Sequence, residues 1–242
     1  MRNELELERN IQRSMLPDVF PRLPWAAVHA SLEMCREVCG DLHDCFVPDP
    51  AVPDRLCCVM GDVCGKGVPA AIIMSRTMSL ARDGTFTWAS AGHPPPLPCP
   101  EPEGEGFASD AVRPPAWPGE LVLGVRDGQR YSTFQTRLAP GQSLLLYTDG
   151  ADEAQAPPAS GNAGGELYGE ARLAGSFDRA CRAVDPTAGP ETIVARLRQD
   201  LTGHMDGRPA GDDISLMVVT RSRQGEADTA SEPEPSHAPD RS

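Results

Sequence analysis

The stretch from Cys57 to Ala71, CCVMGDVCGKGVPAA, constrains this chain more than any other. It starts in the short uncharged run Leu56 to Met60, which predicts a strand buried on both faces. Glycines at positions 61, 65 and 67 predict a sharp turn that a ligand can approach closely. The proline at position 69 suits a first helical turn, and the apolar residues from Pro69 to Arg82 predict a helix. Asp62 then lies at a predicted strand end, where a capping role and a metal-binding or catalytic role fit equally well.

The remaining elements are predicted by periodicity and by turn residues. Alternating or apolar segments predict strands at 25–33, 42–47, 85–91, 131–138, 143–148 and 214–220. Amphipathic segments predict helices at 168–183 and 190–205, and residues 98–120 read as a long loop. His93 follows one of these strands in a Gly-His-Pro turn, where a local structural role is favoured over a role in a site.

Charge and cysteine usage exclude several classes of protein. The net charge of −13 argues against a nucleic-acid partner, because such a partner needs a basic face. No apolar run reaches membrane-spanning length and no signal peptide is evident, so we expect a cytoplasmic protein with no membrane partner. The eight cysteines include no C-x-x-C pair, which favours reduced, mostly buried thiols over disulfides or zinc ligands.

The chain divides into three parts by composition. Residues 1–17 are predicted to form a connector helix with Leu7, Ile11 and Met15 on one stripe. That helix either packs on its own domain or joins residues 2–16 to an upstream sensor or a dimer partner. Residues 18–221 are predicted to form the folded domain, and residues 222–242 a disordered acidic tail.

An aspartate beside a glycine recurs where predicted strands begin or end. The pairs are Gly40-Asp41, Gly61-Asp62, Asp149-Gly150 and Gly211-Asp212-Asp213. Each aspartate alone is typical of a turn. If the strand ends meet at one edge, however, so many carboxylates need cations in order to stay ionised together. Oxygen ligands suit Mg²⁺ or Mn²⁺, and two such ions would activate a water for attack on a phosphoryl group.

The motifs, in their order, give the chain a family resemblance. They are IQRSMLP at 11–17, GDVCGKGVPAA at 61–71, AGHPPP at 91–96, LYTDGADEA at 146–154, YGEARL at 168–173 and GDDIS at 211–215. Together they resemble the SpoIIE-type branch of the PPM (protein phosphatase 2C-like) serine/threonine phosphatases. The resemblance implies an α+β fold, an α/β/β/α sandwich of two antiparallel sheets flanked by helices.

The same resemblance implies a function and a site. It implies a bacterial phosphoprotein phosphatase with two Mn²⁺ or Mg²⁺ ions that acts in sigma-factor regulation. The expected substrate is a phosphoserine or phosphothreonine on an anti-sigma-factor antagonist of the STAS type. Asp62 resembles the ligand that bridges the metals, and it and Asp149 are expected to be the catalytic residues. The implied metal-binding set is Asp41, Asp62, the carbonyl of Val63, Asp149, Asp212 and Asp213. The general acid is unassigned, because Cys64 stands where the eukaryotic branch carries a histidine.

The resemblance breaks after Arg82. Relatives continue with a second helix and a further strand, whereas this chain passes directly to the strand at 85–91. We therefore expect one helix and adjacent strand(s) to be missing, with an uncovered helix at 69–82 and a gap or edge in the sheet. Three alternatives stay open: an active phosphatase, a degenerate domain that acts as a protein-binding regulatory module, and a gene that is decayed or wrongly delimited.

Overall fold

The fold was analysed in a computed structural model, which describes residues 16–17, 19–35, 39–64, 72–99, 119–158, 164–183 and 188–223. The strands of this part are β1 (Ala26–Glu33), β2 (Asp41–Phe46), β3 (Arg55–Cys64), β4 (Ile72–Ala81), β5 (Thr85–Ala91), β6 (Leu97–Pro98), β7 (Phe134–Arg137), β8 (Ser143–Tyr147) and β9 (Ile214–Arg221). Its helices are α1 (Asp149–Asp152), α2 (Glu170–Ala183) and α3 (Pro190–Met205).

The strands form two sheets in which the paired strands run antiparallel. One sheet has the order β1-β9-β8-β6, and the other has the order β2-β3-β4-β5-β7. Alternate side chains of β8 and β9 face opposite sides of the first sheet, as the period of a strand requires. The first sheet therefore contributes to two separate apolar layers.

The two apolar layers hold the sandwich together. One lies between the sheets, where Leu56, Met60 and Trp88 pack with Leu144 and Met217. The other lies between the first sheet and the helices α2 and α3, and its members include Phe177, Leu197 and Val218. Burial of these side chains supplies most of the driving force for the sandwich. The predicted fold class, two antiparallel sheets flanked by helices, is confirmed.

Both long helices begin and end close to their predicted bounds, 168–183 and 190–205. Pro190 occupies the first turn of α3, and Asp206 ends this helix in the left-handed conformation. The core between helices and sheet includes residues from both helices, so the described helices lie on the side of the four-stranded sheet. The opposite, outer face of the five-stranded sheet exposes Leu42 and Phe46.

The predicted helix at 69–82 is wrong over its described part. Residues 72–81 form β4, which pairs with β3 on one side and with β5 on the other. Met78 and Leu80 face the core between the sheets, as alternate residues of a strand do. Arg76 occupies the preceding inward position, and its charge interrupts the apolar period of two by which a strand is recognised in a sequence. Among the described residues, β4 pairs with both β3 and β5, so the sheet has no gap between these strands. The expected loss of a helix and adjacent strand(s) stays a prediction.

The predicted sharp turn at Gly61 is a second correction. Strand β3 continues through Gly61, Asp62 and Val63, opposite β2 and β4. Gly61 is needed here for space, because a Cβ atom would lie 3.3 Å from the side chain of Leu42 and 3.2 Å from the carbonyl of Met74. The glycine thus permits close strand packing rather than a change of direction.

Two cysteines depart from the expectation of reduced thiols. Cys45 and Cys58 are direct cross-strand partners on β2 and β3, and a disulfide joins them. Cys57, the neighbour of Cys58, faces the other side of the sheet and is free, as the alternation of a strand predicts.

Three predicted segments fall largely outside the described residues. These are the connector helix within 1–17, the loop at 98–120 and the acidic tail at 222–242. In the part that the structure describes, no helix is both long enough and apolar enough to cross a membrane.

His93 lies in the interior of the domain, where burial, together with the nearby charge of Arg76, lowers the pKa of its imidazole to about 3. Below pH 6.5 the unfolded chain therefore takes up a proton that the folded chain refuses. As the pH falls from 6.5 to 3, we therefore expect His93 to lower the free energy of unfolding by about 1.4 kcal/mol for each pH unit.

The measurement is urea unfolding of the protein and of His93→Gln at several pH values in this window. The difference between the two free energies of unfolding should change with pH at that slope. Parallel pH profiles for the two proteins would show that His93 is not buried in its neutral form.

Candidate metal centre

Asp41 and Asp62 are direct partners in the ladder between β2 and β3. Residues opposite each other in an antiparallel pair share one face of the sheet, so both carboxylates project to the side of the core between the sheets. Asp41 is buried and Asp62 is half-buried. The register of these two strands thus places two of the predicted metal ligands side by side.

Gly40 leaves a small oxygen-lined space beside this pair. A Cβ atom at position 40 would lie 2.8 Å from Oδ1 of Asp62 and 3.0 Å from the carbonyl oxygen of Val63. Any side chain at position 40 would therefore fill the space in which the carboxylate and the carbonyl converge. A carboxylate together with a backbone carbonyl is a donor set that suits Mg²⁺ or Mn²⁺, so these residues fit the implied metal.

Thr148 fixes the side chain of Asp41. Its hydroxyl donates to Oδ2 of Asp41 over 2.7 Å and accepts from the backbone N–H of Ser215 over 3.0 Å. Asp41 belongs to β2, Thr148 directly follows β8, and Ser215 lies in β9. This hydroxyl therefore connects the five-stranded sheet to two strands of the four-stranded sheet. Thr148 is not among the predicted site residues, although it directly precedes Asp149 in the motif LYTDG.

The pKa of Asp41 is raised to about 7. Burial is the main cause, and the negative charges of Asp62 and Asp213 raise this pKa further, whereas the hydrogen bond from Thr148 lowers it. Crowded carboxylates of this kind are held ionised together only when a cation lies among them.

Asp149 begins helix α1 at the end of β8, next to the loop before β9. The following residue, Gly150, lies so close to the carbonyl of Asp213 that a Cβ atom would have no room. Burial raises the pKa of Asp149, and the charge of Asp212 raises it further. The close packing at Gly150 therefore brings Asp149 and Asp212 into one electrostatic environment.

Asp213 holds the segment before β2 in place. Its Oδ1 accepts the backbone N–H of Cys35 over 2.7 Å, and its Oδ2 accepts the N–H of Gly40 over 2.8 Å. Asp213 is buried, and burial, together with the nearby charge of Asp213, also raises the pKa of Cys39, whose thiol donates to the carbonyl oxygen of Asp41. Because each of its oxygens accepts a short hydrogen bond, the Asp213 carboxylate is suited to holding the backbone at Gly40 in position as well as to binding metal.

The structure brings the predicted ligands to one end of the sandwich in pairs. Asp41 lies opposite Asp62, and Asp149 lies near Asp212. Within the described residues, the group of three whose ligand atoms all lie within 4.8 Å of one another is a different one, formed by Cys35, Asp212 and Asp213. Asp41, Asp62 and Asp149 are not in that group. Cys35 is not among the predicted ligands, because it has no glycine beside it and no motif around it.

The chain is similar in sequence to known proteins. The chain is 24% identical over 288 residues to protein IcfG of Synechocystis sp., covering 90% of this chain and 42% of the relative. It is 24% identical over 193 residues to the phosphoserine phosphatase RsbU of Bacillus subtilis, covering 63% of this chain and 54% of the relative. The chain thus spans about half the length of these relatives.

A solved structure has the same fold as this chain. The SiaA-PP2C domain of Pseudomonas aeruginosa superimposes with a TM-score of 0.63 at 18% identity, covering 90% of this chain and 95% of that domain. At this identity the similarity concerns the fold alone.

A family model adds the assignment. The model of stage II sporulation protein E (SpoIIE) matches residues 81–222, which is more than half of the 242 residues. The matched region includes the motifs that carry Asp149, Asp212 and Asp213. The chain therefore belongs to the SpoIIE family of PP2C-type phosphatase domains.

Proposed function

We propose that this protein hydrolyses phosphoserine or phosphothreonine on a regulatory protein, with two Mn²⁺ or Mg²⁺ ions as cofactors. The observation that supports the proposal most directly is the space beside Gly40, where a carboxylate oxygen of Asp62 and the carbonyl oxygen of Val63 converge. The family assignment supports the same class of reaction.

Each residue of the centre has a role in this proposal. Asp62 and Val63 would hold the metal at Gly40, with Asp41 beside them, and Asp149 and Asp212 would supply further ligands. The metal supplies a water of lowered pKa and charge stabilisation for the phosphoryl oxygens. The hydroxyl of Thr148 holds Oδ2 of Asp41 in a fixed orientation, and Asp213 accepts the N–H of Gly40 and so holds this residue beside the site. Holding the carboxylates in place before substrate arrives avoids an entropic cost during the reaction.

The expected substrate is a phosphorylated anti-sigma-factor antagonist of the STAS type. We expect both proteins to be located in the bacterial cytoplasm. This part of the proposal is supported by the resemblance of the sequence motifs to the SpoIIE-type branch. The upstream sensor or dimer partner that would join residues 2–16 belongs to the same part of the proposal.

The test is hydrolysis of a phosphoserine peptide and a phosphothreonine peptide by the full chain. We expect phosphate release with Mn²⁺ or Mg²⁺, loss of that release on chelation, and recovery when the metal is restored. The chelated protein is its own matched control. A rate that does not depend on metal would contradict the proposal.

A second candidate is a regulatory module that binds a partner protein without catalysis. It is favoured by the placement of Asp41, Asp62 and Asp149 outside the tight group of ligand atoms. Calorimetric titration with Mn²⁺ separates the two candidates, because a module without a functional centre binds no metal and its thermal midpoint does not rise with Mn²⁺.

A further inference from the structure

The outer face of the five-stranded sheet, which points away from the other sheet, carries an apolar surface along β2 and β3. Leu42 and Phe46 point to this face from β2 and are 37% and 47% exposed. Their cross-strand partners on β3 are Gly61 and Cys57, with Val59 between them. We call these five residues the β2–β3 patch. Helices α2 and α3 pack on the other sheet, so neither of them covers the patch.

The patch has the width of a single helix. On the next strand, β4, the outward positions are the polar residues Ser75, Thr77 and Ser79, so the apolar surface ends at β3. Two strands spaced about 4.8 Å apart occupy roughly 10 Å, which is also about the diameter of an α-helix. Because β2 is an edge strand of the described sheet, its exposed apolar side chains favour contact with another segment.

The N-terminal part of the chain enters the fold beside this patch. Phe20 packs against the core between the sheets, and its ring lies 6.0 Å from the ring of His43, the residue after Leu42 on β2. Four residues of extended chain span at most about 14 Å, so Leu16 lies within that distance of Phe20. Residues 2–15 lie outside the described part of the chain, and they join it at the β2 edge.

The apolar stripe predicted for residues 2–16 matches the patch in length. Leu7, Ile11 and Met15 recur every four residues and would extend over about 12 Å of a helix. Leu42 and Phe46, four residues apart on a strand, are separated by about 13 Å. A helix laid along β2 and β3 would therefore cover the patch with this one stripe.

We propose that residues 2–16 dock as a helix on the β2–β3 patch of the same chain, with Leu7, Ile11 and Met15 against the sheet. Removal of these side chains and of the patch from water drives the docking. Arg13 follows Ile11 by two positions and lies on the opposite side of such a helix, where solvent or an upstream partner can contact it. The docking is independent of the metal centre, because Asp41 projects from the other face of the sheet.

Cys57 is a natural probe of this contact, because it is a free thiol within the patch. The test measures the rate at which iodoacetamide alkylates Cys57 in the full chain, with the modified residue located by mass spectrometry. Ile11→Asp places a charge on the stripe and should raise this rate about tenfold or more, because the thiol no longer depends on opening of the docked helix. The matched control, Arg13→Asp, should keep the rate within about twofold of the unchanged chain.

The outcomes distinguish the occupants of the patch. Equal rates in the unchanged chain and in Ile11→Asp, or equal acceleration in both variants, would overturn the docking of the stripe. Protection of Cys57 that is lost on dilution would assign the patch to a second copy of the chain and overturn docking within one chain. Near-ultraviolet circular dichroism checks that each variant keeps its tertiary structure.

Cross-linking supplies a second readout that does not depend on rates. In Ile11→Cys, a short bis-maleimide should join the introduced thiol to Cys57 within one chain, and peptide mapping identifies the link. Arg13→Cys should not form this link, since its thiol would point away from the sheet. A link to Cys57 of another chain, or equal linking in both variants, would contradict the proposal.

Discussion

Replacement of Asp62 by asparagine is expected to lower metal-dependent phosphopeptide hydrolysis by about 10³-fold, a loss of roughly 4 kcal/mol of transition-state stabilisation. Asparagine keeps the size of the side chain but removes the charge beside the Gly40 space. It also removes one of the charges that raise the pKa of Asp41. The loss should therefore appear in kcat/KM and in Mn²⁺ affinity together.

The matched control is Asp44→Asn. Asp44 lies on the same strand, β2, but on its exposed outer face, away from Asp62. This variant should keep hydrolysis within about twofold of the unchanged protein, since a surface substitution rarely disturbs a site at the opposite face. Equal losses in the two variants would mean that charge on the hairpin, rather than the position of Asp62, matters for activity.

Replacement of Arg76 by methionine is expected to stabilise the protein by about 3 kcal/mol. Arg76 is fully buried on β4, and its three guanidinium nitrogens have no hydrogen-bond partner in the described structure. Burial lowers the pKa of this guanidinium to about 10, and the guanidinium lies 6.0 Å from the centre of the ring of Tyr147. Methionine fills similar volume without the cost of desolvating a charge.

Thermal unfolding measures this effect. A gain of that size should raise Tm by about 6–12 °C in a chain of this length. Arg82→Met, at an exposed position just after β4, serves as the control and should change the free energy of unfolding by less than about 0.5 kcal/mol. A lower Tm for Arg76→Met would show that the guanidinium has a partner that the fold requires.

The difference between α3 and β4 shows how far sequence patterns determine the fold. Helix α3 was predicted from Pro190 onwards, because its apolar residues recur at helical spacing and one side packs on the sheet. Strand β4 was mistaken for a helix because Arg76 replaces an apolar residue at an inward position, so the period of two is broken. Its neighbours β3 and β5 impose the strand by pairing along both edges, and such tertiary pairing is not visible in a single segment.

The candidate site shows the same division. The glycine–aspartate pattern predicted which carboxylates belong to the site, and the placement of Asp41 opposite Asp62 agrees with that prediction. Their roles as ligands stay predictions. Thr148 and Cys35 were not predicted, because their relevance comes from contacts across more than a hundred residues of sequence, to Asp41 and Asp213 respectively. Local composition carries no information about such contacts.

The disulfide between Cys45 and Cys58 lies on the same ladder as Asp41 and Asp62, four residues further along each strand. A slip of one residue between β2 and β3 would turn one of the two carboxylates away from the other, since neighbouring residues of a strand face opposite sides. A covalent link between directly opposed residues forbids that slip. The spacing of the two carboxylates is thereby tied to a bond in the core, and a reducing environment would leave hydrogen bonds and packing alone to maintain it.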